Sequence, residues 1–209
     1  MSTSSANTSS ADTTGADTTG ADTSSAGYFE AIYRSTKDPW RFSDDPYERS
    51  RFAAIAGALP LRRFRCAFEP GCSEGELTVL LARRCDRYIA IDISPTAAAR
   101  AAARCVHLPQ VHVCRGSIPA DVPQEPLDLL VLSEIGYYFD EARLRDLVQK
   151  LHLQLTSDAT VVACHWLGSS DDHVLGGDAV HAVLAEELGA PDHSARTDRY
   201  RLDVWSSTQ

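Results

Sequence analysis

The chain has 209 residues, of which 44% are hydrophobic, and this length and composition predict one domain with a sizeable buried core. The formal net charge is −9 and Lys37 and Lys150 are the only lysines, so a nucleic acid, which needs clustered basic side chains, is excluded as the expected partner. No segment approaches the roughly 18 consecutive apolar residues that span a bilayer, so we expect a soluble, cytoplasmic protein with no membrane partner. The sequence leaves the oligomeric state open.

Residues 1–26 differ in composition from the rest of the chain. The pentad Ala-Asp-Thr-Thr-Gly and close variants repeat from Ala11, and the stretch has no aromatic or branched aliphatic residue. Such a segment cannot bury enough apolar surface to offset the entropy lost when it is ordered. We therefore predict a disordered low-complexity tail over 1–26 and a single domain over 27–209.

The six cysteines show neither a CxxC pair nor a zinc-type cluster with histidine, so no metal site is expected. Their positions fall mostly in predicted strands and helices, where a thiol acts as a small buried apolar group. They are Cys66, Cys72, Cys85, Cys105, Cys114 and Cys164.

Apolar runs along the chain predict two N-terminal helices and then an alternation of strands and helices. The first helices cover 28–33 and 47–59. The predicted strands are 65–69, 87–92, 111–115, 127–132, 160–166 and 199–205. The predicted helices between them are 76–84, 95–105, 140–153 and 178–188. This order indicates an α/β fold, a Rossmann-like doubly wound sheet that is mostly parallel with an antiparallel C-terminal strand, preceded by N-terminal helices.

In such sheets a ligand binds beyond the carboxyl ends of the strands, so the loop after the first strand is the first candidate. Gly71 and Gly75 bracket a tight turn there, which lets a ligand approach the backbone. The loop lacks the middle glycine of the dinucleotide pattern, and Glu74 and Glu76 would repel a pyrophosphate. Glu69 adds a carboxylate that suits a ligand with an ammonium and a sulfonium group.

Asp92 ends the second predicted strand, 23 residues after Glu69, which is about one strand-helix-strand unit. A carboxylate at this place can accept hydrogen bonds from both ribose hydroxyls of an adenosine. The alternative is that Asp92 only caps the next helix. Together with the preceding loop, the position favours an adenosine cofactor.

Three stretches carry a family resemblance: FEPGCSEGELT over 68–78, AIDISPTA over 90–97 and LDLLVLSEIGYYF over 127–139. They resemble the class I S-adenosylmethionine-dependent methyltransferases and, more narrowly, the NodS-type group, whose members N-methylate the amine of a deacetylated chitooligosaccharide. The similarity extends over about 28–205. It implies S-adenosylmethionine as the cofactor and Glu69, Gly71, Gly75 and Asp92 as residues that bind it.

Further cofactor contacts are expected around this loop. Ser73 stands where the class usually has a second glycine, and Ser117 stands near a position where an acidic residue often contacts adenine, so Ser117 or the backbone of Ile118 would take that role. An arginine such as Arg51 is suited to the cofactor carboxylate, and N-terminal aromatic residues could form a lid. The additional predicted cofactor-binding residues are Tyr33, Trp40, Arg51, Cys72, Ile93, Ser117, Ile118 and Ser133.

The loop after the fourth strand is expected to face the transferred methyl group. Glu134 is the first candidate to orient or deprotonate an amine, and Tyr137 is placed beside it as a hydrogen-bond donor. His165, at the end of the fifth strand, is a candidate general base because its unperturbed pKa lies near 6.5. The predicted substrate-binding residues are Tyr138, Trp166 and His181.

The leading hypothesis is an N-methyltransferase acting on an amine of a small polar molecule, an amino sugar or an aminoglycoside-like natural product. The sugar part follows from the resemblance alone. Three alternatives remain open: a small-molecule O-methyltransferase, a nicotinamide-dependent oxidoreductase, and a non-catalytic protein that binds the adenosyl cofactor. The absence of an evident acidic metal cluster in the sequence disfavours the first, and the acidic glycine loop disfavours the second.

Overall fold

The structure, a computed structural model, describes residues 25–206, so most of the predicted tail lies outside the described residues. The last two residues of that predicted tail belong to the fold. Ser25 caps the first helix by accepting a hydrogen bond from the backbone N–H of Tyr28, and the helix begins at Ala26. Ser25 and Ala26, which the sequence assigns to the tail, are therefore the cap and the first residue of this helix.

Six α-helices and seven strands make up the described part of the chain. The helices are α1 (Ala26–Ser35), α2 (Pro46–Ala58), α3 (Glu76–Ala82), α4 (Pro95–Arg104), α5 (Glu141–His152) and α6 (Gly177–Leu188). The strands are β1 (Phe64–Pro70), β2 (Cys85–Asp92), β3 (Val111–Arg115), β4 (Leu127–Ser133), β5 (Leu155–Trp166), β6 (His193–Arg196) and β7 (Tyr200–Ser206). A 3₁₀ turn covers Gly136–Tyr138.

The seven strands form one sheet in the order β3-β2-β1-β4-β5-β7-β6. The strands β1 to β5 pair in parallel, and β7 is antiparallel to both of its neighbours. The predicted mostly parallel sheet with an antiparallel C-terminal strand is thereby confirmed. The strand order reverses between β1 and β4, and the carboxyl ends of these two strands open the crevice in which such folds bind ligands.

Two apolar cores lie on the two faces of the sheet. Along β1, Ala67 belongs to the core beneath α2, α3 and α4, whereas Phe68 belongs to the core beneath α5 and α6. Leu129 and Leu130 of β4 alternate in the same way. Because both faces are covered, these strands are apolar throughout, which is the pattern that predicted them.

The sequence did not predict β6 or the 3₁₀ turn. Strand β6 has no apolar run, and it forms because its backbone pairs with β7 at the sheet edge. The fifth strand begins at Leu155 rather than at residue 160, since its first residues pair with the start of β4. Short polar segments of this kind depend on a partner strand that their own sequence does not reveal.

Within residues 25–206, none of the helices combines the length and apolar character required to cross a membrane. All six cysteines are free thiols, and only Cys114 among them is exposed.

Candidate active site

Two cavities open at the carboxyl ends of the strands. The first cavity, of about 450 Å³, lies between the loops after β1 to β4 and one side of α5. The second cavity, of about 460 Å³, lies between α1, the segment 40–48, the segment after β4 and the loop after β5. Phe29 and Tyr138 line both cavities, and their rings meet edge to face at 5.0 Å between centroids.

The loop after β1 turns sharply through alternating positive φ angles, +74° at Gly71, +51° at Ser73 and +86° at Gly75. Gly71 lines both cavities. A Cβ on Gly75 would lie 3.1 Å from the Cβ of Ala101, so this glycine serves the close packing of the loop against α4 and lines neither cavity. The predicted cofactor contact at Gly75 is thus corrected to a backbone and packing role.

Ser73 is the non-glycine residue in this left-handed series. The left-handed conformation costs an L-residue roughly 1–2 kcal/mol. Two hydrogen bonds stabilise it: its N–H donates to the carboxylate of Asp92 at 2.9 Å, and its hydroxyl oxygen accepts from the hydroxyl of Tyr33 at 2.7 Å. The side chain therefore joins α1 to the loop, a link that glycine at this position could not make.

Asp92 lies at the end of β2 on the wall of the second cavity. One carboxylate oxygen accepts from Ser94 N and the other from Ser73 N, each at 2.9 Å. Each oxygen keeps a lone pair for a ligand hydroxyl. Burial raises the pKa of Asp92 to about 6, although both backbone hydrogen bonds oppose the shift.

Glu69, unlike Asp92, faces inward. One of its carboxylate oxygens accepts from the hydroxyls of Thr78 and Tyr88, at 2.6 and 2.9 Å. Burial raises its pKa to about 7 against these hydrogen bonds. The side chain borders only a small cavity of about 30 Å³ that it shares with Arg51, Cys72 and others, so it does not reach the two large cavities.

The residues expected to contact an adenine ring all line the first cavity. Ser117 and Ile118, after β3, line the first cavity. Ile93, after β2, lines both. The N–H of Ser117 donates to the carboxylate of Asp121 at 2.8 Å, which leaves its hydroxyl for a ligand. Ile93, Ser117 and Ile118 therefore share the lining of the first cavity, and their contact with adenine stays a prediction.

The N-terminal aromatic residues cover the second cavity. Tyr33 and Trp40 pack edge to face at 5.2 Å, and both line the cavity. Phe29 and Tyr33 form a small core with Ala97 of α4, which fixes α1 against the sheet. Phe29 and Tyr33 therefore pack against the fold and also border the second cavity. A lid role of these aromatic residues stays a prediction.

Arg51 is 1% exposed and makes four hydrogen bonds inside the protein. Its Nε and Nη2 donate to Glu48 at 3.0 and 2.5 Å, while Nη1 donates to Ser133 at 3.2 Å and Glu134 at 3.1 Å. It borders the small cavity together with Ser133 and Cys72. Its guanidinium therefore links the carboxylates of Glu48 and Glu134, with its donors directed at these partners and at Ser133 rather than at either large cavity.

Glu134 follows β4 with a positive φ of +57° and lines the second cavity. Besides Arg51, its carboxylate accepts from the backbone N–H of Trp166 at 2.9 Å and from the hydroxyl of Tyr137 at 2.5 Å. Tyr137, Tyr138 and Trp166 line the same cavity. With three donors already bound, Glu134 is a fixed hydrogen-bond acceptor on the cavity wall rather than a free base.

His165 and His181 do not line either large cavity, and both are completely buried. Nε2 of His165 accepts from Gly136 N at 3.0 Å, so its Nδ1 holds the proton and donates to Nε2 of His181 at 3.2 Å. Nδ1 of His181 donates in turn to Asp203 at 2.7 Å. Burial lowers the pKa of His165 well below its usual value. The predicted base and the predicted substrate contact are corrected: both residues hold the turn at Gly136.

Sequence reasoning missed several residues of the second cavity. They are Phe29, Phe42, Asp45, Tyr47, Glu48, Ile135, Ser169, Ser170, Asp172, His173 and Arg199. His173 stacks on Tyr137 with ring centroids 3.7 Å apart. The acidic pair before His173 in the sequence was the only signal that could have singled it out, because the segment 167–175 has no periodicity.

Among residues 25–206, no group of three or more histidine, cysteine, aspartate or glutamate side chains is arranged to hold a metal ion. The site therefore consists of two cavities, a glycine-containing loop and polar side chains.

The chain is similar in sequence and in structure to known proteins. A model of the family described as Nodulation protein S (NodS) matches residues 32–196. Nodulation protein S of Rhizobium tropici is 32% identical over 160 residues, covering 72% of this chain and 66%, just under two thirds, of that protein. The crystal structure of a putative methyltransferase from Pseudomonas syringae is similar at 38% identity and a TM-score of 0.69, covering 77% of this chain and 98% of that one.

The N-methyltransferase NodS of Bradyrhizobium japonicum WM9, solved in complex with S-adenosyl-L-homocysteine, shares the fold at 24% identity and a TM-score of 0.74, covering 87% of this chain and 98% of that one. The family match and these similarities identify the chain as an S-adenosylmethionine-dependent methyltransferase. More narrowly, the chain belongs to the Nodulation protein S family.

Proposed function

We propose that this enzyme transfers the methyl group of S-adenosylmethionine to an amine nitrogen of a small, polar, cationic molecule, and that an amino sugar is the substrate class. The acidic wall of the second cavity carries the proposal. Besides Asp92, four carboxylates line it, those of Asp45, Glu48, Glu134 and Asp172, and Arg199 is its single arginine. Arg51, behind the wall, compensates part of the charge of Glu48 and Glu134, which leaves the wall acidic overall. A cleft lined by one sign of charge concentrates ligands of the opposite sign.

The rest of the wall suits an amino sugar. Tyr47, Tyr138 and Trp166 present aromatic surface to the second cavity. Aromatic faces attract an ammonium group and pack against the apolar side of a sugar ring. The NodS protein of Bradyrhizobium japonicum WM9 is an N-methyltransferase, which supports an amine acceptor, and the resemblance in the sequence supports the sugar part.

The cofactor fits the residues that join the two cavities. Ile93, Ser117 and Ile118 would hold the adenine in the first cavity, and the free lone pairs of Asp92 would accept the ribose hydroxyls. Gly71 lies between them and leaves room for the chain that leads to the sulfur. When bound, the cofactor supplies a methyl group on a positively charged sulfur.

On the acceptor side, the protein's task is to hold the amine in line with the transferred carbon. Positioning of this kind supplies a large part of the rate enhancement in displacement reactions. Glu134 is suited to it because Arg51 and Trp166 N fix one oxygen, while the other, held by Tyr137, keeps a lone pair for an amine N–H. Tyr138 and Trp166 would contact the sugar.

The proposal is tested with labelled S-adenosylmethionine and glucosamine oligomers. We expect label in the free-amine oligomer and none in the fully N-acetylated oligomer, which has the same hydroxyls but no basic nitrogen. Equal labelling of both would show transfer to oxygen and overturn the amine assignment. Binding of S-adenosylhomocysteine by calorimetry without transfer to any amine would instead favour a non-catalytic, cofactor-binding protein.

A further inference from the structure

His173 lies on the wall of the second cavity with a side chain that is only 10% exposed. Its ring is stacked on Tyr137 and meets Trp166 edge to face at 6.1 Å. The backbone N–H groups of Val174 and Leu175 both donate to the carbonyl of Tyr137, at 2.8 and 3.1 Å. The imidazole is therefore held at a defined place against the ring of Tyr137, on the cavity that Glu134 also lines.

The ring nitrogens of His173 make no hydrogen bond within residues 25–206. Nδ1 is buried without a partner, and Nε2 is 3.9 Å from the nearest carboxylate oxygen of Asp172, which is too far for a hydrogen bond. His165 is the opposite case, since both of its nitrogens are used. An unused imidazole on a cavity wall is available to a ligand.

Several titratable groups surround this imidazole. Asp172 lies on its own loop, Glu134, Tyr137 and Tyr138 face it from the segment after β4, and the buried neutral His165 lies behind it in β5. Burial lowers the pKa of His173, and Asp172 and Glu134 offset this only in part. The ring is thus neutral near pH 7. Burial also raises the pKa of Tyr137 well above its usual value, so that phenol keeps its proton.

We propose that His173 is the general base of the methyl transfer and accepts, on Nε2, a proton from the substrate's ammonium group. The inference rests on the proposed function. The N–H bond of the ammonium breaks and its proton passes to Nε2, which leaves a neutral amine. The amine lone pair then forms the bond to the methyl carbon while the carbon–sulfur bond breaks, and that electron pair stays on sulfur. The product is a secondary ammonium, and His173 releases its proton to water.

Glu134 and His173 have different roles because their hydrogen-bond partners differ. Glu134 already accepts from three donors and orients the amine, whereas His173 has both nitrogens unused. A free primary amine forms by itself at high pH, so the need for a base decreases as the pH rises. A general base and a structural side chain therefore differ in the pH dependence of the loss that their removal causes.

The experiment compares wild type, His173→Gln, His173→Asn and the control His152→Gln, which changes an exposed histidine in the last turn of α5. The turnover number is measured from pH 6 to pH 10 with glucosamine oligomers as substrate. We expect both His173 variants to lose roughly 100-fold or more at pH 7 and progressively less at higher pH. The control should match wild type.

Two measurements besides activity accompany the profile. Calorimetry should give the same affinity for S-adenosylhomocysteine in wild type and in both variants. In nuclear magnetic resonance spectra, the ring signals of His173 should shift when glucosamine is added to the complex with S-adenosylhomocysteine, because Nε2 then accepts a hydrogen bond from the ammonium group.

Each outcome is decisive. A Gln variant within twofold of wild type at every pH would overturn the role of His173 and leave the proposed function standing. A loss of equal size at all pH values, together with weaker cofactor binding, would make His173 structural and also overturn the inference. A wild-type protein that binds S-adenosylhomocysteine but methylates no amine would overturn the proposed function, and the inference with it.

Discussion

The loop after β1 and the segment after β4 lie side by side where the strand order reverses, yet they are built differently. Each contains a non-glycine residue with positive φ, Ser73 at +51° and Glu134 at +57°. Ser73 is held by the neighbouring strand through Asp92, 19 residues away. Glu134 is held by Arg51, 83 residues earlier, and by Trp166, 32 residues later.

The difference teaches which part of the site local chain geometry can make. The cofactor loop needs two glycines, one tolerated left-handed serine and one carboxylate, all within a single strand-helix-strand unit. The wall of the second cavity around Glu134 forms only when four separate segments come together, which are α2, β4, β5 and the loop that carries His173. Its stability therefore depends on buried polar contacts over long sequence distances.

The largest effect is expected from breaking the acceptor side at Arg51. Arg51→Leu leaves the half-buried carboxylates of Glu48 and Glu134 without their shared buried partner, and we expect a loss of about 3 kcal/mol in the free energy of unfolding. Denaturant titration measures it. The matched control is Arg63→Leu, which removes an exposed pair with Asp86 and should cost about 1 kcal/mol or less. Similar losses in both variants would mean that the ion pairs of the buried Arg51 stabilise the fold no more than the exposed pair of Arg63.

The next effect concerns the inward-facing carboxyl of the cofactor side. Burial raises the pKa of Glu69 in the folded protein to about 7, from 4.5 for an ordinary glutamate, so between these pH values the folded state binds more protons than the unfolded state. Stability is then lost as the pH rises. From pH 5 to pH 8 the wild type should lose about 2 kcal/mol relative to Glu69→Gln.

Urea unfolding at several pH values compares the two proteins. Parallel curves for wild type and Glu69→Gln would show that the carboxyl titrates normally and that its burial carries no cost.

An effect of similar size, on binding rather than folding, is expected at Asp92. Asp92→Ala removes two charge-assisted acceptors for ribose, and we expect S-adenosylhomocysteine to bind more weakly by about 1.5–3 kcal/mol in calorimetry. Asp86→Ala changes the exposed carboxylate at the other end of the same strand and serves as the control. Unchanged affinity in Asp92→Ala would leave Asp92 as a holder of the loop and helix α4 alone.

The smallest effect should come from Ser73. Ser73→Ala keeps the left-handed strain and loses the hydrogen bond to Tyr33, so it should destabilise by about 1 kcal/mol. Ser73→Gly relieves the strain as well, and its stability should stay within about 0.5 kcal/mol of wild type. A double-mutant cycle with Tyr33→Phe isolates the bond. Additive losses would mean that the hydroxyl pair does not join α1 to the loop.

Sequence reasoning predicted the elements around the loop after β1 far better than the contacts of the segment after β4. The strand before Gly71 and the acidic end of β2 follow from apolar runs and glycines, which are local signals. Gly75 was placed correctly on the loop, but its packing against Ala101 was not foreseen. In the segment after β4, the sequence predicted that Glu134 orients the amine. It assigned Arg51 to the cofactor carboxylate, whereas Arg51 binds Glu134 in the structure.

The histidines show the limit most clearly. His165 was favoured because it ends a strand at the ligand-binding edge, but the chain of hydrogen bonds from Gly136 through His181 to Asp203 places it behind the wall. His173 stands in a segment without periodicity, and only its stacking on Tyr137 brings it to the cavity.

The sequence by itself determined the fold class, the glycine-containing loop and the carboxylate at the end of β2, because periodicity, glycine and strand ends act within a few residues. Tertiary structure alone decided which imidazole is buried and which borders the cavity, and which carboxylates Arg51 neutralises. The physical reason is that a side chain's hydrogen-bond partners and its access to solvent are set by segments tens of residues away, which meet only when the sheet has formed.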